Sequence, residues 1–144
     1  MFFGEFEYKI DEKGRVPLPP RFRAHLKDGV VLTLGTEKCI TAYPISEWKK
    51  LADSLTGDTV ARSKVRQLNR ALFGAASYLN IDGQGRISLP VLLREHAEVM
   101  DEVVVVGVNN YIELWNSVHW EEEKAASKEQ AWQIIESLEG DRGV

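Results

Sequence analysis

Two short stretches of this chain carry matching residues in the same order, and their chemistry is that of holding rather than of breaking a bond. Asp11-Glu12-Lys13-Gly14-Arg15 and Asp82-Gly83-Gln84-Gly85-Arg86 share the spacing Asp-x-x-Gly-Arg. An aspartate entering a turn can accept hydrogen bonds from the N–H groups that follow it, and glycine lets the chain reverse at positive φ. The arginine emerges just after the reversal, and its forked guanidinium suits bidentate recognition of a phosphate or a guanine edge. The same Asp and Arg can also simply pair and lock the hairpin. The two roles are compatible, since an aspartate can orient an arginine that also touches a partner. Lys13 adds a cation to the first turn where the second has Gln84, and Lys9 lies just upstream. The first half is therefore expected to dominate any affinity for an anion.

Other residue sets have the types, but not the spacing, for catalysis or metal binding. His25 and His96 occupy equivalent places and could be combined with Asp11 and Asp82 into a metal site or an acid pair. No His-x-x-x-His or Cys-x-x-Cys spacing supports a metal, and no Gly-x-Ser-x-Gly or phosphate-cradling glycine loop is present. Each aspartate already has an arginine four residues away. The histidines are expected to cap or pack short helices, and no catalytic residue, metal or cofactor is expected. Cys39 is the lone cysteine, so no disulfide can form within the chain. It aligns with Tyr111 in a strand and reads as a packed thiol in a reducing cytoplasm.

The formal net charge of −4 argues against a polyanion partner until its distribution is read. From Lys9 to Lys27 there are six cations and two anions, a local +4; from Thr59 to Ser77 there are four cations and no anion. From Glu121 onward seven anions face three cations. A binding face depends on the local field, not on the sum. No apolar run approaches the roughly 20 residues that span a bilayer, and the N-terminus lacks the basic and apolar regions of a signal peptide.

These residues are positioned by a duplicated unit. Shifted by 71 residues, Ile10–His25 lies over Ile81–His96 with eight of sixteen positions identical. At an offset of 72, Val31-Leu32-Thr33-Leu34-Gly35 faces Val103-Val104-Val105-Val106-Gly107, Tyr43 faces Trp115 and Trp48 faces Trp120. Two copies are too few for a solenoid, so a pseudo-twofold arrangement in which the halves complete each other is expected. Each copy reads as a short strand (Phe6–Ile10; Tyr78–Ile81), the glycine turn, a second strand (Arg15–Leu18; Arg86–Leu89) and a short helix begun at Pro19 or Pro90. A hairpin follows (Val30–Leu34 with Cys39–Tyr43; Val103–Val108 with Tyr111–Trp115). Ser46 and Ser117 are expected to cap helices, and Thr59–Phe73 to form another. In that one Ala61, Val65, Leu68 and Leu72 share one stripe and Arg62, Arg66 and Arg70 another. Residues 53–58 are expected to link the halves, and 140–144 to fray. The last helix carries Trp120, Trp132, Ile135 and Leu138, apolar residues suited to packing in the core or on another subunit. For the four tryptophans, packing is favoured over stacking on bases. The arginine stripe could meet phosphate, or the acidic surface of a neighbouring subunit around Glu121-Glu122-Glu123; both readings stand.

The Asp-x-x-Gly-Arg-hydrophobic-x-Leu-Pro segment followed by a short helix resembles the AbrB-like DNA-binding half-domain. Two such units, together with Met1-Phe2-Phe3-Gly4, Tyr43-Pro44-Ile45-Ser46-Glu47-Trp48, Leu72-Phe73-Gly74-Ala75-Ala76-Ser77 and Glu113-Leu114-Trp115, resemble the MraZ family over roughly residues 1–123. The resemblance implies an α+β fold, a swapped-hairpin (SpoVT-AbrB-like) β-barrel made by two pseudo-twofold-related β-α-β half-domains with flanking helices. The division expected is half-domain 1 over 5–48, a helical connector over 49–75, half-domain 2 over 76–120 and a C-terminal helix and tail over 121–144. It further implies a non-enzymatic, cytoplasmic, nucleoid-associated regulator. Such a protein forms a ring-shaped homo-oligomer and binds direct repeats in double-stranded promoter DNA upstream of the division and cell-wall gene cluster, including its own gene. On this resemblance Asp11, Arg15, Asp82 and Arg86, with Lys13 and Lys9, are the DNA-contact residues. Arg62, Arg66, Arg70, Trp120 and Glu121 are placed at the subunit interface. The alternative is an antitoxin-like protein-interaction module on the same scaffold.

Overall fold

Alternation along the short strands decides which residues face inward. In β1 (Glu5–Lys9) exposed residues alternate with half-buried Phe6 and Tyr8, the pattern of a strand with one face on a core. β2 (Arg15–Pro17) buries only Val16 and its repeat β6 (Arg86–Ser88) only Ile87. β3 (Val30–Leu34) and β4 (Cys39–Pro44) are buried on nearly every residue, as are β7 (Glu102–Val108) and, less completely, β8 (Tyr111–Trp115), because both faces of these strands are covered. β5 (Ser77–Leu79) completes the strands. The helices are α1 (Pro20–Arg23), α2 (Ile45–Ser54), α3 (Arg62–Gly74), α4 (Val91–Ala97) and α5 (Ser117–Arg142). The computed structural model describes residues 1–56 and 62–142, so the expected helix start at Thr59 and stripe residue Ala61 fall outside the described residues.

The strands form a six-stranded antiparallel sheet in the order β1-β7-β8-β4-β3-β5 and a separate ribbon of β2 with β6. The order is its own mirror under exchange of the two repeats, and the hairpins are traded between them: β1 pairs with β7, and β5 with β3. The local axis passes through the Thr41–Glu113 pair of the sheet and the Val16–Ile87 pair of the ribbon. One core lies between sheet and ribbon, built from Val16, Ile87, Leu18, Leu89, Phe22 and Leu93 against Leu32, Ile40, Val105 and Leu114. The expected barrel is not closed by hydrogen bonds. β1 and β5 are the edges of an open sheet, and the ribbon forms no ladder with it.

Several local expectations are corrected. The third strands match at an offset of 73, not 72. Val31 pairs with Tyr43 and Val104 with Trp115, so Val31 corresponds to Val104. A one-residue slip moves every side chain to the other face, and only this register puts Leu32 and Val105 together in the core. The shift arises in the longer helix α4, of 7 residues against 4 in α1, and is partly undone in the shorter β7–β8 turn, where Asn109 takes positive φ. Ser46 does not cap α2, since Pro44 precedes its first residue. Asn116, not Ser117, caps α5: its Oδ1 accepts the N–H groups of Val118 and His119 at 2.8 and 3.1 Å. Pro19 and Pro90 stand at the N-cap positions of α1 and α4, just ahead of the first turn. α5 stays helical through Arg142, so residues 140–142, expected to fray, are helical, and 143–144 lie outside the described residues. Trp132, Ile135 and Leu138 are 72, 42 and 52% exposed, because α5 runs past the end of the sheet.

Candidate nucleic-acid interface

The two Asp-x-x-Gly-Arg turns are built alike. In the first, Asp11 Oδ1 accepts the N–H groups of Lys13 and Arg15 at 2.9 and 2.8 Å, and Gly14 turns the chain at φ +76°. In the second, Asp82 Oδ1 accepts the N–H groups of Gln84 and Arg86, both at 2.9 Å, and Gly85 turns at φ +78°. The second carboxylate oxygen takes the arginine Nε: Arg15 donates to Asp11 at 2.6 Å and Arg86 to Asp82 at 2.9 Å. In each turn the carboxylate accepts three hydrogen bonds, which favours its ionised form. The N–H of Arg15 is the largest influence holding Asp11 below the usual carboxylate range, and the N–H of Arg86 does the same for Asp82. Both readings of the motif are thus geometrically available. The aspartate locks the hairpin through Nε and leaves the terminal guanidinium nitrogens directed by that lock.

The fold brings the turns, 71 residues apart in sequence, into one site. Val16 pairs with Ile87, and the flanking pairs Arg15–Ser88 and Pro17–Arg86 lie on the ribbon face opposite those buried residues. Arg86 Nη1 comes within 3.7 Å of Asp11 Oδ2, so Asp11 faces both arginines. The ribbon is extended by Leu18 N–H donating to Gly85 O at 3.0 Å and Leu89 N–H to Gly14 O at 2.9 Å. Its outer face is therefore a two-stranded antiparallel ribbon with an arginine from each repeat.

Arg23 and Arg94 also stand at equal places in the two repeats. Arg23 Nε donates to Leu18 O at 2.8 Å and Arg94 Nε to Leu89 O at 3.0 Å. Each guanidinium then lies on the turn glycine of the other repeat: a Cβ on Gly85 would collide with that of Arg23, and one on Gly14 would come within 2.9 Å of that of Arg94. The signal available in sequence was their retention at equal places in both copies, but only the tertiary arrangement reveals the crossing. Each turn is closed by an arginine from the other half.

Lys13 is exposed at the first turn and Lys9 at the end of β1, opposite Glu102 across the ladder. Arg21 lies over the Phe3 ring, 5.4 Å from its centroid. Arg62, Arg66 and Arg70 are exposed on α3, and Glu121 is exposed and Trp120 half-buried on α5. The structure does not bring these five together within one chain. Trp120 packs on Trp115 at 5.8 Å and donates to Glu5 at 3.0 Å. His25 packs edge-on to Phe2, and His96 Nε2 is 3.2 Å from Glu37 O. Cys39 is buried beside Glu113, and burial pushes its thiol pKa up, as fits a packed core thiol. Among the described residues no helix is long and apolar enough to cross a membrane.

A duplicated α+β chain whose repeats trade strands and meet at two mutually braced Asp–Arg turns defines the class of protein. The chain belongs to the MraZ family. The family model, described as "MraZ protein, putative antitoxin-like", matches residues 1–70 and 72–137. The protein named "Transcriptional regulator MraZ" of Dehalococcoides mccartyi is 64% identical over 141 residues, covering 97% of this chain and 99% of that one. Its namesake in Roseiflexus sp. is 42% identical over 121 residues, 84% of this chain and 85% of that one. That of Halothermothrix orenii is 40% identical over 144 residues, the full length of both.

Proposed function

We propose that this chain is a DNA-binding transcriptional regulator, acting in the cytoplasm at the nucleoid, and that it reads promoter direct repeats, its own promoter among them, through the β2–β6 ribbon. The observation that carries the reading is the union of Arg15 and Arg86 on one outward ribbon face, each oriented by an aspartate. A two-stranded ribbon fits the major groove of B-DNA, and an arginine held at Nε offers its terminal nitrogens to a guanine edge or a phosphate. The relatives that align over most of the chain carry the name of transcriptional regulators, in keeping with this role. In this proposal Asp11 and Asp82 orient the arginines, and Lys13 and Lys9 add phosphate contacts. The architecture is proposed to be that of the swapped-hairpin barrel, with half-domains over 5–48 and 76–120, a connector over 49–75 and a tail helix over 121–144. The traded β1–β7 and β5–β3 pairs support it.

One such unit presents few contacts, so repeated presentation of the ribbon by a ring-shaped homo-oligomer is part of the proposal. Arg62, Arg66 and Arg70 on one chain would face Glu121 and Trp120 on the next.

The test is binding to DNA upstream of the protein's own gene at a series of salt concentrations. Arg15→Ala is expected to weaken binding by about 1–3 kcal/mol if it reads a base edge, and Arg86→Ala, which shares Asp11, by the same or less. Log affinity is expected to fall with log salt by close to 0.9 per phosphate engaged. Unchanged affinity in both variants with the fold intact removes the ribbon from the mechanism. A flat salt response points instead to the antitoxin-like reading, a protein partner, which the exposed Trp132, Ile134 and Leu138 of α5 favour.

A further inference from the structure

The duplication is incomplete on the outer face of the sheet, and the incompleteness leaves a seat without its helix. In the first repeat α3 lies on that face: Thr33 of β3 donates to Leu72 O, and Phe73 stacks on Trp48 at 4.5 Å, which itself rests on Tyr43 at 5.6 Å. The second repeat keeps the strand and aromatic parts of this seat, though not the hydroxyl. By the strand register Val106 stands where Thr33 does, and Trp120 rests on Trp115 at 5.8 Å as Trp48 rests on Tyr43. The larger difference is the helix. α2 ends at Ser54 and is followed by α3, whereas α5 runs straight on to Arg142. The result is a groove of about 400 Å³ lined by Val106, Tyr111, Trp115 and Trp120.

The groove is also acidic. Glu37, Glu113 and Glu123 line it, and among the described residues none of them takes part in an ion pair. Burial, with the charges of Glu37 and Glu123 nearby, pushes the Glu113 carboxyl above its usual range. A helix suited to this groove needs cations and a modest apolar contact. α3 carries Arg62, Lys64, Arg66 and Arg70 with no acidic residue between Arg62 and Gly74, and its Leu68 is 42% exposed. The exposed end of α5 is apolar enough but brings Glu129, Glu136 and Glu139, so charge excludes it in favour of α3.

We infer that the β7–β8 groove of one chain receives the outward face of α3 from a second copy of this chain, in the place where the first repeat seats its own α3. The inference rests on the self-association proposed above and assigns its two surfaces. Because α3 keeps its inner face on β3, the contact is heterologous and repeats from copy to copy, which closes a ring when the rotation permits.

Two measurements test it. Leu68→Cys and Ser127→Cys put thiols on the exposed face of α3 and on the groove wall, and native Cys39 is fully buried. When the two variants are mixed and treated with a short bis-maleimide, the expected main product joins one chain of each kind, several-fold over like-to-like products. Arg66→Glu alone is expected to lower the particle mass at least twofold, and Arg66→Glu with Glu123→Lys to restore it. Particles of full mass that give no mixed product, or whose Arg66→Glu loss is not relieved by Glu123→Lys, overturn the groove assignment and leave self-association standing. A wild-type chain that stays monomeric at all concentrations overturns both. DNA binding through Arg15 is read separately on a single-repeat duplex.

Discussion

At the scale of single residues the site depends on two glycines as much as on two arginines. Gly14 and Gly85 hold φ near +76° and +78°, a region that L side chains enter only at a cost. Gly85 also lies under the Arg23 guanidinium, whose Nε bond to Leu18 O fixes it there. Gly85→Ala is therefore expected to destabilise the fold by about 1–3 kcal/mol, the scale of a strained left-handed residue. The displaced Arg23 is flexible, so the backbone strain should dominate. Adding Arg23→Ala should recover only the part due to the clash. Urea unfolding of the two variants measures both terms. Full recovery in the double variant would mean that the clash, not φ, sets the requirement for glycine.

At the scale of elements, the hairpin turns respond to pH through their aspartates. Asp11 and Asp82 have carboxyls depressed by turn N–H groups and by their arginines. A depressed folded pKa contributes stability that is present above the unfolded carboxylate value and is lost as pH falls through the folded one. The turns should thus be at full strength at neutral pH and weaken in the acid range below the ordinary aspartate value. Asn at both positions keeps an acceptor oxygen for the N–H groups but removes the charge. The doubly substituted Asp11→Asn, Asp82→Asn chain is expected to be less stable at pH 7 and to lose less on acidification than the parent. Urea midpoints across the acid range check this, and parallel curves for the two chains would rule the turns out as the source of the acid response. α5 is tied by a different device: Glu5 of β1 accepts from Trp120 Nε1 at 3.0 Å and from Lys124 Nζ at 2.8 Å. That clamp holds the first two turns of the helix, and nothing comparable holds the rest among the described residues.

At the scale of the whole molecule, the consequence is a helix of 26 residues of which only the start is packed on the sheet. Trp132, Ile134, Ile135 and Leu138 are each at least 42% exposed. A contiguous apolar surface of this kind marks an interaction site rather than a core. Removing residues 131–144 is expected to change the unfolding free energy of the remaining chain by no more than about 0.5 kcal/mol, as for surface changes remote from any buried group. It should also abolish most binding of an apolar fluorescent dye. A large loss of stability would show that the distal helix folds back on the body. The truncated chain retains α3 and the β7–β8 groove, so it should keep the particle mass per chain expected from assembly through those surfaces.

Sequence by itself determined the repeat, the composition of both turns and the hairpin positions, and it put each Asp within reach of the Arg four residues on, because these depend on neighbours within a few positions. Their apolar type also turns Phe22 and Leu93 inward, and both are buried. What it left open was which strand meets which. Alternation specifies the face of a strand but not its partner, so the exchange of β1 and β5 between repeats, and the offset of 73 for β3 and β7, are decided by how the two halves close over one core. The meeting of the two turns, the crossing of Arg23 and Arg94 onto the opposite glycines, and the groove beside Glu113 all follow from that exchange. Apolar spacing left α5 open for the same reason: Trp132, Ile135 and Leu138 have the period of a packed stripe, but burial within the chain requires a surface to lie against, and the sheet ends before the helix does.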